Sequence, residues 1–151
     1  MRAVLQRVSE ATVRVDDQIT GYTGPGLLVL LGINEEDEEN DIDYLVQKIT
    51  NMRIFGDEAG KMNLSVIDTN GGMLIISQFT LFAQTKKGNR PSFIQAARPE
   101  KAIPLYQSFI IKMEKALNKD VGRGIFGADM KVQLVNDGPV TILLDSQNRD
   151  L

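Results

Sequence analysis

The chain has no histidine, no cysteine and no tryptophan. Without histidine it lacks both the commonest general base near neutral pH and the commonest zinc ligand. Without cysteine it has no disulfide framework, thiolate nucleophile or sulfur-ligated metal, which suits a reducing compartment. No apolar run approaches the roughly 18 residues of a membrane span; the longest, Leu27 to Leu31, is strand-sized. A cleavable leader pattern is also missing. These absences predict a cytoplasmic protein with no membrane partner, no metal and no cofactor. Any hydrolysis must rely on carboxylates, hydroxyls, lysines, backbone amides or a group on the substrate.

A length of 151 residues suits one domain, expected over 1–151. The net charge of -3 speaks against a nucleic-acid partner, yet its distribution is uneven. Seven of the 20 acids lie between Glu35 and Asp43, leaving 13 acids against 17 bases elsewhere. Lys86, Lys87, Arg90, Arg98 and Lys101 form the densest basic stretch. By composition alone it reads first as ordinary solvated loop and helix-start charge, and only second as a phosphate-facing surface.

Residues 1–33 alternate apolar and polar positions, with Val4, Val8, Val13 and Val15 in the pattern, and predict a meander of three or four strands. Gly21, Gly24, Pro25 and Gly26 punctuate it before the buried run to Ile33. From Asp41 the period becomes helical, through Ile42, Leu45, Val46, Ile49 and Met52, with Gly56 near the end. The acids before it suit the positive end of a helix dipole and are read as a solvated helix start rather than a metal site. Gly71-Gly72 leads into a short strand from Met73 to Ser77. A second helix starts near Pro99, with a buried stripe of Ile103, Tyr106, Phe109, Ile110, Met113 and Leu117; Pro104 softens its first turns. Met130 to Val135 and Val140 to Leu144 read as two strands paired around an Asn136 to Pro139 turn. The fold class expected is mixed α/β, with largely antiparallel sheets packed with two main helices in a layered β/α/β domain.

Gly122, Gly124 and Gly127 match the spacing of a dinucleotide fingerprint, but the motif needs a strand before it and a helix after. Here the order is reversed, and the match is discarded. Two other segments carry chemistry. Ser77-Gln78-Phe79-Thr80 places hydroxyls, an amide and backbone N–H groups at a strand end, where they either hold a developing oxyanion or simply terminate the strand. Asn136-Asp137-Gly138-Pro139-Val140-Thr141 is by local physics a turn, since Asp-Gly favours one and Pro removes a ladder donor.

These segments, with the opening Met1 to Val8, Lys87-Gly88 and Phe126-Gly127-Ala128, closely resemble the D-aminoacyl-tRNA deacylase family along almost the whole chain. The resemblance implies a homodimeric carboxylic ester hydrolase that frees D-amino acids from tRNA, with no DNA partner. It implies a cis Gly138-Pro139 bond that reaches the other subunit's site, where its carbonyls face the substrate α-ammonium and Arg7 steadies the loop across the interface. Ser77, Gln78, Phe79 and Thr80 would form the catalytic segment, Phe126 would line the substrate site, and Lys86, Lys87 and Arg90 would meet tRNA phosphates. Achiral glycyl-tRNA, including glycine mischarged on tRNA(Ala), would also enter. Thr80 lacks a base to activate it, so water attack aided by backbone amides and the terminal 2′-hydroxyl is the expected route. A proofreading module for L-amino acids and a non-catalytic RNA-binding protein are the alternatives.

Overall fold

The computed structural model describes residues 1–151. Its strands are β1 (Arg2–Val15), β2 (Gln18–Thr23), β3 (Gly26–Gly32), β4 (Phe55–Gly56), β5 (Met62–Leu64), β6 (Gly72–Ser77), β7 (Gly122–Arg123) and β8 (Lys131–Asp145). Its helices are α1 (Glu39–Asn51) and α2 (Pro99–Leu117). The expected mixed α/β class, its two helices and the order of strands and helices all stand.

β1 is hydrogen-bonded along both edges. On one, its first half pairs with β3 and its second half with β2; on the other, both halves pair with β8, all antiparallel. β6 and β7 then extend the sheet from β3 in parallel. On β3 and β6, Leu27, Val29, Leu31, Met73 and Ile75 point into the helical core, where Ile42, Leu45, Ile49, Phe109, Ile110 and Met113 cover them. Their alternates, Leu28, Leu74 and Ile76, pack with Val8, Ala11, Val13, Met130, Val132 and Leu134. Period-two alternation on strands buried on both faces thus yields two cores. The sheet curls so that the second half of β1 and the first half of β8 cover the face away from the helices, while Ala3, Leu5, Val140 and Leu144 join the helical core. Its ends come close enough that a Cβ on Gly21 would lie 2.5 Å from the Arg123 carbonyl oxygen, and one on Gly122 2.5 Å from that of Tyr22.

Several expectations need correction. Met130–Val135 and Val140–Leu144 do not pair with each other as a hairpin: they are one continuous strand, both parts bonded to β1. Gly138, at φ +123, carries the chain through an outward bulge without reversing it. The first helix stops at Asn51, where Met52 turns extended, and Gly56 belongs to the short β4–β5 pair. In α2 the buried stripe takes Ala102 in place of Ile103, and Pro104 sits inside an unbroken helix. Gly122 and Gly124 are packing glycines, and a Cβ on Gly124 would meet the Met130 sulfur at 2.3 Å.

The acidic run is only partly a solvated helix start. Glu38 and Asp41 form a reciprocal capping box at α1, but Asp37 is buried. It binds the Met1 ammonium and accepts from the Asn34 N–H at 2.6 Å. No group of acids is arranged to hold a metal ion.

Phe109 is fully buried at the centre of the helical core. Phe109→Ala should lower unfolding free energy by about 3–5 kcal/mol, through lost transfer energy and an unfilled cavity. Urea denaturation measures this, and a loss below about 1 kcal/mol would show that the helices close over the gap.

Candidate active site

The parallel pairing of β3 with β6 runs one residue past the strand, because the Gln78 N–H donates to the Leu31 carbonyl at 2.7 Å. The chain then closes into a 3-10 turn over Phe79–Phe82. Its first internal bond runs from the Leu81 N–H to the Gln78 carbonyl at 3.2 Å. The N–H groups of Phe79 and Thr80 precede that bond and have no partner within the turn. Gly32, at the end of β3, lets the turn sit close to the sheet: a Cβ there would lie 3.0 Å from both the Gln78 oxygen and the Leu81 Cβ.

A cleft of about 270 Å³ opens beside this turn. Ser77, Gln78 and Phe79 form one wall and Phe126, Gly127, Ala128 and Asp129 the other, over an apolar floor that includes Leu31 and Ile76. The Phe126 ring packs on Tyr106, with centroids 5.9 Å apart. The buried Tyr106 hydroxyl donates to the Ile75 carbonyl at 3.0 Å. Burial pushes the Tyr106 pKa up to about 12, so it stays a neutral donor at ordinary pH.

Thr80 is exposed and does not line the cleft. Its hydroxyl accepts a hydrogen bond from the Gln78 side-chain amide. An amide is not a base in either orientation, so this neighbour engages a Thr80 lone pair without taking its proton.

Past the turn, the backbones of Gln84 and Ser92 exchange hydrogen bonds of 2.8 and 3.0 Å. They close the neck of a loop on which Lys86, Lys87 and Arg90 surround a polar cleft of about 360 Å³. None of the three is ion-paired: the salt bridges lie elsewhere. Phe93, at the foot of the loop, meets Phe79 edge to face with centroids 5.1 Å apart, so the basic loop is coupled to the wall of the first cleft.

The second predicted segment lies on β8. Between the pairs Gln6–Thr141 and Val8–Asn136, Arg7 alone on β1 faces Asp137, Gly138, Pro139 and Val140. The Gly138-Pro139 bond is cis, as the resemblance implies. Arg7 holds the bulge of its own chain: Nε donates to the Asp137 carbonyl at 3.1 Å, and Nη1 to that of Ile54 at 2.7 Å. The Asp137 carboxylate lies 3.5 Å from Arg7 Nε. In its satisfied orientation, the Asn136 amide nitrogen donates to the carbonyls of Arg7 at 3.0 Å and Val140 at 3.3 Å.

Ser77, Gln78, Phe79 and Phe126 therefore share one cleft, whereas Thr80, Arg7, Gly138 and Pro139 do not line it. Two contributors had no signal in the sequence. Asp129 is the one charged residue in the cleft lining, and an acid in a loop looks like any solvated charge. Gly32 follows a run that already explained itself as a strand. Phe93 closes the basic segment, but its contact with Phe79 is tertiary.

A family model described as D-Tyr-tRNA(Tyr) deacylase matches residues 4–145. Proteins named D-aminoacyl-tRNA deacylase are similar over nearly their full length. That of Cytophaga hutchinsonii is 60% identical over 99% of both chains. That of Bacteroides thetaiotaomicron is 55% identical over 99% of this chain and 100% of its own. Among solved structures, a c-Myc DNA unwinding element binding protein superposes with a TM-score of 0.90 at 42% identity, over 96% of this chain and 98% of that one. A probable eukaryotic D-amino acid tRNA deacylase shares the fold, with a TM-score of 0.85 at 17% identity over 95% and 97%. A match that includes both the Ser77–Thr80 turn and the Asn136–Thr141 bulge places the chain in the D-Tyr-tRNA(Tyr) deacylase family.

Proposed function

We propose that the chain hydrolyses the ester of D-aminoacyl-tRNA by water attack, with the developing oxyanion held by the N–H groups of Phe79 and Thr80. The observation that carries this reading is a pair of N–H groups, unpartnered within their turn, beside a cleft that has no imidazole and whose one charged side chain is Asp129. Water adds to the ester carbonyl carbon, the carbonyl oxygen takes up the charge, and the bond to the ribose 3′-oxygen breaks. The adjacent 2′-hydroxyl passes its proton to that leaving oxygen and takes one from the attacking water. The ribose thus leaves as the 2′,3′-diol and the amino acid as its carboxylic acid, which ionises to solvent. Positioning and preorganised donors supply the rate, so no triad is required. Thr80 shapes the turn and does not attack.

The enzyme acts as a homodimer in the cytoplasm. Gly138 and Pro139 stand outside the cleft of their own chain, which supports the reading that each bulge completes the partner's site. A main-chain wall that fixes the α-ammonium and the ester leaves one direction for a side chain. A D residue points outward, whereas an L residue strikes the wall or forfeits its hydrogen bonds, at about 1–3 kcal/mol for each buried polar group left unpaired. Glycine has no side chain to reject, so glycyl-tRNA, including that mischarged on tRNA(Ala), also enters. The unpaired Lys86, Lys87 and Arg90 face the acceptor-end phosphates.

Deacylation of matched D- and L-tyrosyl-tRNA tests the chirality: the D ester should be cleaved selectively, and preference for the L ester would end this reading. A Cβ on Gly138 would lie 2.6 Å from Arg7 Nη2 and 2.9 Å from Val140 Cγ2. Gly138→Ala should therefore displace the bulge and lower the D/L ratio, and an unchanged ratio would remove the filter from this segment. Thr80→Ala should keep kcat within about tenfold of the parent, since removing a true nucleophile costs several orders of magnitude more; a collapse to background in single-turnover assays would restore Thr80 as the nucleophile. Replacing Lys86, Lys87 and Arg90 with Gln should raise KM for tRNA substrates and flatten its dependence on salt, with kcat little changed. A salt dependence identical to that of the parent would move the phosphate contacts elsewhere.

A further inference from the structure

The 3-10 turn is held at its front by the Gln78 N–H on the Leu31 carbonyl. At its far end, where Leu81 and Phe82 pack over Gly32, the side chain of Arg2 adds a hydrogen bond. Arg2 Nη1 donates to the Leu81 carbonyl at 3.0 Å, and the guanidinium carbon stands 4.7 Å from the centroid of the Phe82 ring. Arg2 Nε donates to the Asp145 carboxylate at 2.8 Å. One guanidinium thus joins the start of β1, the end of β8 and the last two residues of the turn. Arg2 is also the cross-strand partner of Gly32, the glycine over which the turn packs.

Asp145 is a firm anchor for this fork. Burial by itself raises its carboxyl pKa, but the Arg2 hydrogen bond, the Gln147 N–H at 2.9 Å and the nearby Met1 ammonium hold it below the usual carboxylate range. The carboxylate is therefore charged throughout the neutral range, and Arg2 is oriented by a rigid neighbour. An arginine can bind a carboxylate and a carbonyl through two fixed N–H directions, whereas lysine offers one flexible point charge.

We infer that Arg2 is a positioning residue for ester hydrolysis: by fixing Leu81 and Phe82 against the Asp145 end of the sheet, it aims the Phe79 and Thr80 N–H groups at the oxyanion. This inference rests on the proposed role of the turn. Arg2 does not line the cleft and touches no reacting atom, so its removal acts on the transition state more than on substrate binding.

The test uses full-length Arg2→Ala and Arg2→Lys, with folding followed by thermal melting. Each variant should lose about tenfold or more in kcat for D-tyrosyl-tRNA with KM within about twofold, as expected when donors are misplaced but the binding surface is intact. Added ethylguanidinium should restore part of the lost kcat in Arg2→Ala, and ethylammonium should not. Binding of two adenosine probes separates this inference from the reading beneath it: a 3′-linked D-tyrosine amide, and the corresponding tetrahedral phosphonate anion. Wild-type protein should prefer the phosphonate, and the Arg2 variants should lose that preference. Equal wild-type binding of both probes would overturn the oxyanion turn, and the role of Arg2 with it. A wild-type preference that Arg2→Lys keeps, together with full kcat, would overturn Arg2 alone. Arg2→Lys retains a cation beside Asp145, so it decides the matter even where Arg2→Ala does not fold.

Discussion

The architecture depends on β1 being paired along both edges. Its hydrogen bonds to β2 and β3 on one side and β8 on the other fix the curl of the sheet and join the two cores. The same strand carries Arg2 at one end and Arg7 near its middle, one directed to the 3-10 turn and the other to the bulge. The two segments that carry the proposed chemistry are far apart in sequence, yet both take their position from side chains on this strand. A change of register on β1 would expose core residues and misdirect both arginines together.

A chain without imidazole can still supply an environment for ester cleavage. Donors fixed before the reaction need no reorganisation as charge develops, and a dry, shaped cleft strengthens them. The side chains nearest the turn fit that division of labour. The Gln78 amide organises the Thr80 hydroxyl, Phe93 braces Phe79, and the buried Tyr106 ties the opposite wall to β6, its ring packed on Phe126 and its hydroxyl bonded to Ile75.

Much of this organisation was legible in the residues because period and punctuation report burial directly. Leu27–Leu31 announced a strand buried on both faces, and Tyr106, Phe109, Ile110 and Met113 announced a helix facing the core. The failures have a common physical cause. Asp-Gly-Pro satisfies the local rules for a reversal, but the pairing partner of β8 is β1, more than a hundred residues away, and that long-range ladder overrides the turn. Asp37 looked like one more surface acid, and only the fold could show that it meets the Met1 ammonium. Local pattern located the Ser77–Thr80 turn, whereas its support from Gly32, Phe93 and Arg2 is tertiary and leaves no periodic trace.

The pairing of β1 with β8 also sets the time at which the site can exist. Chain emerges from the ribosome from its amino end, and early segments can begin to order before later ones are made. β3 and β6 can therefore form the floor and one wall of the cleft while synthesis continues. The bulge opposite Arg7, and the Asp145 carboxylate that orients Arg2, arrive only with residues 131–145. Closing so distant a contact is slow compared with local ordering. A nascent chain thus lacks both the bulge and the anchor of Arg2 until its last long strand has zipped onto its first.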